Sequence, residues 1–417
     1  MAEKVSPESL AEKVREYSFP RCAGSEGDKK IRDGIVKEWS SLKEQNPGTD
    51  CEIKQMEFSY AEDTPRVLKG IFVAFFTFSV VLDTYFLFFV EQKPYCYLPV
   101  LFGVLILTGV LSGTRWNRWI DRFYARRSSN EINSANVEAV IKPSGKSAEK
   151  TIIFMAHHDS KSQAIGFLTR FYAAGLIFSL TLLVSVYSIV YAGYIGQAML
   201  NWNANIQIWV LRVNILVVIA ALLLNVLSAV FYYVRSGNFS PGAVDNASGL
   251  AVLNALFEKY VQSPPEGLNL RFVATGAEEE GLIGVVKYIN ETEKELDKKN
   301  TVFVNLDSVG GTGAVLAVDR YGIPQIRTAS ELTGDLKKAA KSVNIVFRSM
   351  YSPAGAGYDS LPVSHRGYEA VTLTNCKFDK TLHDIHSKND KPENISADGL
   401  FRVYQLCTAL VGSKCNQ

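Results

Sequence analysis

Four stretches of this chain, residues 70–90, 95–113, 173–191 and 213–231, each run for nineteen or more residues with almost no charge. As a helix, each is long enough to cross about 30 Å of hydrocarbon. Core helices of soluble proteins rarely come as four long, near-chargeless runs, so the sequence predicts an integral membrane protein with four transmembrane helices. The spans pair into two hairpins, 66–113 and 167–234, joined within themselves by short loops near 91–95 and 192–207. A hairpin returns the chain to the side it left. The remaining pieces, 1–65, 114–166 and 235–417, are therefore predicted to fold together as one soluble domain that the hairpins interrupt.

The basic residues orient this arrangement. Arg66, Lys69, Arg115, Arg118, Arg122, Arg126, Arg127, Arg170 and Arg235 all flank the soluble-domain ends, whereas the two connecting loops carry only Lys93. That asymmetry predicts a cytoplasmic soluble domain. Trp116 and Trp119 at one boundary, with Trp202, Trp209 and Tyr194 at the other, fit interfacial aromatic belts. Asp83 and Arg212 fall in or beside the spans and are read as a structural pair. The start, MAEKVSPESLAEKVREYSF, has no apolar core, so no secretory signal is expected before the first span. With 44 Lys and Arg against 42 Asp and Glu, the chain is too near neutrality for a dedicated nucleic-acid binder. Six Cys without CxxC spacing suggest neither a disulfide scaffold nor a thiolate metal site, and are read as free thiols.

Outside the spans, β-rich runs alternate with helical patterns. Strands are predicted at 52–58, 137–141, 151–155, 269–275, 301–306, 314–318 and 370–373, and helices at 29–42, 247–261, 284–298, 325–341 and 397–411. Such alternation implies an α/β sandwich with helices on both faces of a sheet, and in these folds sites gather at the carboxyl ends of strands.

Five segments place His, Asp or Glu at such ends. His157-His158-Asp159 follows one strand, and a His with a carboxylate two residues on suits a metal ligand whose ring is held by an acid. Asp245 opens a helix, where by itself it reads as an N-cap. Glu278-Glu279-Glu280 puts three adjacent carboxylates after an apolar strand, a costly arrangement unless a cation compensates or one group keeps its proton. Asp307 ends a buried-type strand. A late loop carries His383, His386 and Asp390. His365 has no such context.

Together these motifs, in this order, resemble the M28 family of metallopeptidases, aminopeptidase-type enzymes with two zinc ions in an α/β fold. The start Pro20-Arg21-Cys22-Ala23-Gly24-Ser25-Glu26-Gly27 is similar to the family's PRxAGSxG opening. The resemblance implies a mixed-sheet α/β/α zinc-peptidase fold, carrying the four transmembrane helices as two inserted hairpins. It implies His157 and Asp307 on one zinc, Glu279 and His386 on the other, and Asp245 bridging the two. The family's HxD and HxxxD spacings select His157 over His158 and His386 over His383. Glu278 is implied as general base, Asp159 as the group orienting His157, and Tyr358, in the loop Gly357-Tyr358-Asp359-Ser360, as a donor to the oxyanion; Ser360 stands where the family commonly has His. The expected activity is that of a membrane-bound exopeptidase, most simply an aminopeptidase acting on short or membrane-derived peptides, with the lipid bilayer as its other partner. Two rivals share the fold: a glutaminyl-cyclase-like transferase with one zinc, and a non-catalytic receptor or scaffold.

Overall fold

The computed structural model describes residues 5–61, 131–145, 149–191, 204–233, 236–322, 324–352, 357–375 and 383–415, with scattered helical positions between 67 and 123. The chain divides into two compact units, one of Met1–Glu62, Asn117–Phe167 and Ser236–Gln417, the other of Asp63–Trp116 and Leu168–Arg235. In chain order the elements are α1 (Pro7–Tyr17), α2 (Glu26–Gln45), β1 (Cys51–Tyr60), β2 (Ile132–Ile141), β3 (Lys150–His157), β4 (Ser162–Gln163), α3 (Phe167–Val190), α4 (Ala204–Tyr233), β5 (Ser236–Gly237), α5 (Ser248–Gln262), β6 (Leu268–Thr275), α6 (Ile283–Thr292), β7 (Thr301–Leu306), β8 (Val315–Tyr321), β9 (Ile326–Arg327), α7 (Glu331–Ser342), β10 (Phe347–Ser352), α8 (Ser360–Ser364), β11 (Glu369–Thr374) and α9 (Ala397–Cys415).

In the first unit the main strands form one mixed sheet in the order β1-β2-β6-β3-β7-β11-β8-β10, with β9 against β8. The central strands β6, β3, β7 and β11 are mutually parallel. Strands buried on both faces read as continuous apolar runs, and the Ile152-Ile153-Phe154-Met155-Ala156 stretch of β3 is of this kind. Successive side chains leave the sheet on opposite faces. Ile152, Phe154 and Ala156 join Trp39, Phe257, Phe272, Leu336 and Leu410 in one core, while Ile153 and Met155 join Val273, Val285, Tyr288, Phe303 and Tyr368 in the other. Helices α1, α2, α5, α7 and α9 supply the first core and α6 the second, so the sheet is a middle layer between helices. Trp39 anchors the larger core: its ring lies 4.9 Å from that of Phe257, and its indole N–H donates to Asn254 Oδ1 at 2.9 Å.

Two local expectations are corrected, and two elements lay outside the expectations. The helix predicted from 325 begins only at Glu331, because Ile326–Arg327 pairs with β8 and the Glu369 carboxylate accepts the backbone N–H groups of Ser330, Glu331 and Leu332. The helix predicted to 298 stops at Thr292. Strand β10 and helix α1 carried no recognised signal, although α1 has a reciprocal Ser6–Ser9 capping box and buries Leu10, Val14 and Tyr17.

Among the described residues of the second unit, two helices are long and apolar enough to cross a membrane, with such stretches at Leu168–Tyr187 and Ile208–Val230 and mean hydropathies of 1.6 and 2.6. Leu176, Leu183, Val186, Leu216, Ile219 and Leu222 are exposed along them. Val184, Val217 and Ala221 pack together, and Tyr187 donates to Asn214 Oδ1 at 2.5 Å. Both helices begin before the predicted spans, since Arg170 and Arg212 remain helical; long basic side chains can reach out from an apolar helix end. The expected spans 70–90 and 95–113 fall almost wholly outside the described residues, as does Asp83, while Arg212 lies over the Trp209 ring at 5.2 Å.

Truncating the best-anchored core side chain tests this layering. Trp39→Ala is expected to cost about 3–5 kcal/mol, read as a lower midpoint in urea unfolding of the detergent-solubilised protein. Trp39→Phe keeps most of the ring volume and is expected to cost less.

Candidate metal centre

The carboxyl ends of β3, β6 and β7 face one region, to which the turn before α5 and the loop 383–390 also deliver side chains. His157 is the last residue of β3, and Asp307 follows the last of β7. His157 Nε2 lies 3.0 Å from Asp245 Oδ1; His386 Nε2 lies 2.9 Å from Asp245 Oδ2 and 2.8 Å from Glu279 Oε1. Two triads result, His157–Asp245–Asp307 and Asp245–Glu279–His386, each with its donor atoms within 4.8 Å of one another. Asp245 belongs to both.

The donor set fits divalent metal. Buried polar atoms are normally hydrogen-bonded, yet among the described residues His157 Nε2 and Glu279 Oε1 are buried with no partner in hydrogen-bond geometry, although Asp245 lies close to the first and the His386 ring close to the second. Burial, with Asp245 nearby, pushes the Asp307 carboxyl up to about 7. Burial also pushes Glu278 well above the carboxylate range, and the charges of Glu279, Asp359 and Asp307 act in the same sense. Asp245 resists its own burial because the imidazoles of His157 and His386 hold it well below that range. A cation between these groups would relieve the repulsion, and nitrogen and oxygen donors without thiolate suit catalytic zinc.

Neighbouring groups fix the donors. The Asp159 carboxylate accepts the backbone N–H of Glu278 and of Glu279, both at 3.1 Å, while its Oδ1 stands 3.5 Å from His157 Nδ1. One side chain thus ties the end of β3 to the turn after β6. Asp390 accepts Val244 N–H at 2.7 Å and Asp245 N–H at 3.2 Å, which pins the backbone of the shared carboxylate. Arg21 is fully buried and donates to the carbonyls of His158 at 2.6 Å, Pro241 at 2.5 Å and Gly242 at 2.8 Å, bracing both flanks of the site. Gly242 adopts φ +62° there, and a Cβ on it would fall 2.6 Å from Ser160 Cβ. Lys161, almost fully buried, donates to the Glu279 carbonyl and lies 3.2 Å from Glu280 Oε1. Ala277, Ser308 and His386 adopt left-handed φ of +52°, +54° and +58°. Strain of that kind, typically about 1–3 kcal/mol per residue, persists only where surrounding structure enforces it.

The competing readings separate on geometry. His158 points away from the donors: its Nε2 meets the Ala135 carbonyl at 2.9 Å and its Nδ1 lies 3.3 Å from Asp28. His383 is largely exposed beside Asp384, and His365 directly follows α8; neither belongs to the triads. Asp245 does not cap α5, since Asn246 Oδ1 accepts the Gly249 N–H instead. Glu278 lies beside the triads but in neither. Tyr358 is half-buried, its phenol pushed up by burial and by the nearby Asp307 charge. Asp359, buried and bonded by the Thr275 hydroxyl, was not singled out in the sequence, nor was Lys161. Arg21 stood out only as part of the opening motif, and Asp390 only as a spacing mark. Their partners lie up to 221 positions away, beyond any local pattern.

Residues 230–411 match the model of Peptidase family M28. Aminopeptidase YwaD of Bacillus subtilis (strain 168) is 31% identical over 176 residues, which is 42% of this chain and 38% of that protein, so the match spans well under half of the relative's length. Among solved structures, a zinc aminopeptidase from Bacillus subtilis superposes with a TM-score of 0.54 at 13% identity, over 99% of this chain and 96% of the other. An Acidobacteriales bacterium glutaminyl cyclase superposes with a TM-score of 0.52 at 13% identity, over 99% and 96%. At such identities the superpositions establish a shared α/β fold.

Asp390→Asn would replace one acceptor by an amide N–H facing a backbone N–H. Divalent-metal binding, measured by chelator competition, is expected to weaken by about 10–100-fold, with little change in far-ultraviolet circular dichroism.

Proposed function

We propose, for a chain whose residues 230–411 match the model of Peptidase family M28, a membrane-bound exopeptidase that uses two zinc ions and most simply acts as an aminopeptidase on short or membrane-derived peptides. The observation that carries this reading is the sharing of Asp245 between two triads. His157 and Asp307 would hold one ion, Glu279 and His386 the other, with Asp245 between them. When bound, the pair of cations supplies Lewis acidity toward the scissile carbonyl and an acidified water.

This chain's residues do the rest. Glu278, beside the triads and raised by burial, accepts the proton of the attacking water and delivers it to the departing amine. Asp159 orients His157 and the Glu278–Glu279 backbone together, so base and ligand keep a fixed relation. Tyr358, near Asp307 and Glu278, donates its phenolic hydrogen to the developing oxyanion. Four membrane spans with the catalytic domain on the cytoplasmic side are the arrangement the basic flanks favour.

The fold match to a glutaminyl cyclase makes a one-zinc transferase the alternative reading, and metal content separates the two. Two zinc ions per chain, with both lost in Asp245→Ala and one in Asp307→Ala, is the expected result by elemental analysis. A single ion in the wild type favours the transferase. In activity assays the purified protein is expected to cleave a fluorogenic peptide with a free amino terminus and to spare its acetylated counterpart. Glu278→Gln is expected to lower that rate by about 10²–10⁴-fold while keeping both metals. Glycosylation tags in residues 91–95 and 192–207 are expected to be modified, and tags in the catalytic domain to stay unmodified; the reverse would place that domain outside.

A further inference from the structure

The chain between β4 and β5, residues 164–235, contains the second inserted segment. These two short strands pair antiparallel, Ser162 with Gly237 and Gln163 with Ser236. The joint is reinforced on the β4 side by the Ser162 hydroxyl oxygen, which accepts the N–H groups of Phe239 at 2.7 Å and Ser240 at 3.1 Å. Ser162 and Ser240 are both buried.

The same β4 strand reaches the metal centre. Gln163 N–H donates to the His386 carbonyl at 2.9 Å, and Gln163 Oε1 lies 3.2 Å from His386 Nδ1. One residue therefore holds both the backbone and the far side of the ring whose Nε2 faces Asp245 and Glu279. An acceptor at Nδ1 fixes the tautomer with the proton there and leaves the Nε2 lone pair for a cation. His386 also sits at φ +58°, a conformation that needs external support, and the Gln163 backbone contact provides it. Gln163 is itself held in place, as the last residue of a strand zipped to the returning chain.

We propose that Gln163 is a positioning residue for His386, so that the root of the inserted segment sets the affinity of the metal site formed by Glu279, His386 and Asp245. The proposal rests on the metal-binding reading above, and its test separates the two. Zinc affinity is measured by chelator competition on the full chain in detergent, in two backgrounds: Asp307→Ala, which leaves the Glu279–His386 site, and Glu279→Ala, which leaves the His157–Asp307 site. Gln163→Met, which keeps shape and loses the acceptor, is expected to weaken zinc by about 10–100-fold in the first background and to leave the second within about threefold. Gln163→Glu, a stronger acceptor, is expected to bind zinc more tightly in the first background than in the second, relative to Gln163 in each. The metal-free melting midpoint is the folding control; if Gln163→Met lowers it, the Gln163→Glu comparison decides. Equal effects in both backgrounds, or none in either, overturn the positioning role and leave the metal centre standing. A wild type that takes up no zinc overturns the metal-binding reading itself.

Discussion

Asp245 offers one carboxylate oxygen to each of two imidazoles, and the site is arranged around keeping that buried carboxylate ionised and still. Burial alone would favour its protonated form. The two rings reverse this, and Asp390 fixes its backbone. Around it stand Glu278, Glu279, Asp307, Asp159 and Asp359, and among the described residues Arg21 and Lys161 are buried cations close to this group. Both of those are committed to carbonyls, Arg21 bracing the flanks and Lys161 the turn that carries Glu279. The negative excess is thus left to whatever occupies the space between the triads, which is why the donor set reads as one for divalent metal.

A rigid frame makes this affordable. Donors at the ends of adjacent parallel strands β6, β3 and β7 inherit the spacing of the sheet, fixed by backbone hydrogen bonds and by a core on each face. The non-glycine residues with left-handed φ in the described chain are Ala277, Leu282, Ser308, Asn344 and His386; Asn344 is of a type that tolerates the conformation, Ala277 and Leu282 lie in the turn that carries Glu279, Ser308 follows Asp307, and His386 is itself a member of a triad. Local strain and close-set charge therefore share one place, and the sheet beneath bears both.

Much of this was legible in the chain. Apolar strands ending in Asp or Glu announced the sheet, and the order of five short motifs picked out five side chains that the fold brings close together. What was hidden depends on long-range partners. Glu369 starts α7 from 38 positions away, so periodicity alone placed that start too early. Asp245 resembles an N-cap in any local window, and only the fold replaces it there with Asn246. Gln163 carries no motif, since its partner lies 223 positions on. The two long apolar helices α3 and α4 were legible by composition, which sees length and charge but not where a helix begins; Arg170 and Arg212 stayed inside helices that were expected to start after them.

The pairing of β4 with β5 has a consequence for the modularity of the chain. Cross-strand neighbours in an antiparallel pair lie about 5 Å apart, so residues 164–235 begin and end at nearly one point on the host domain. To the α/β fold that whole segment is topologically a hairpin loop, and the cost of closing a loop grows only slowly with its length. A two-residue turn could bridge the same gap. Evolution could therefore lengthen, exchange or delete what hangs from this ladder without redrawing the sheet, provided the strand that meets His386 stays in register.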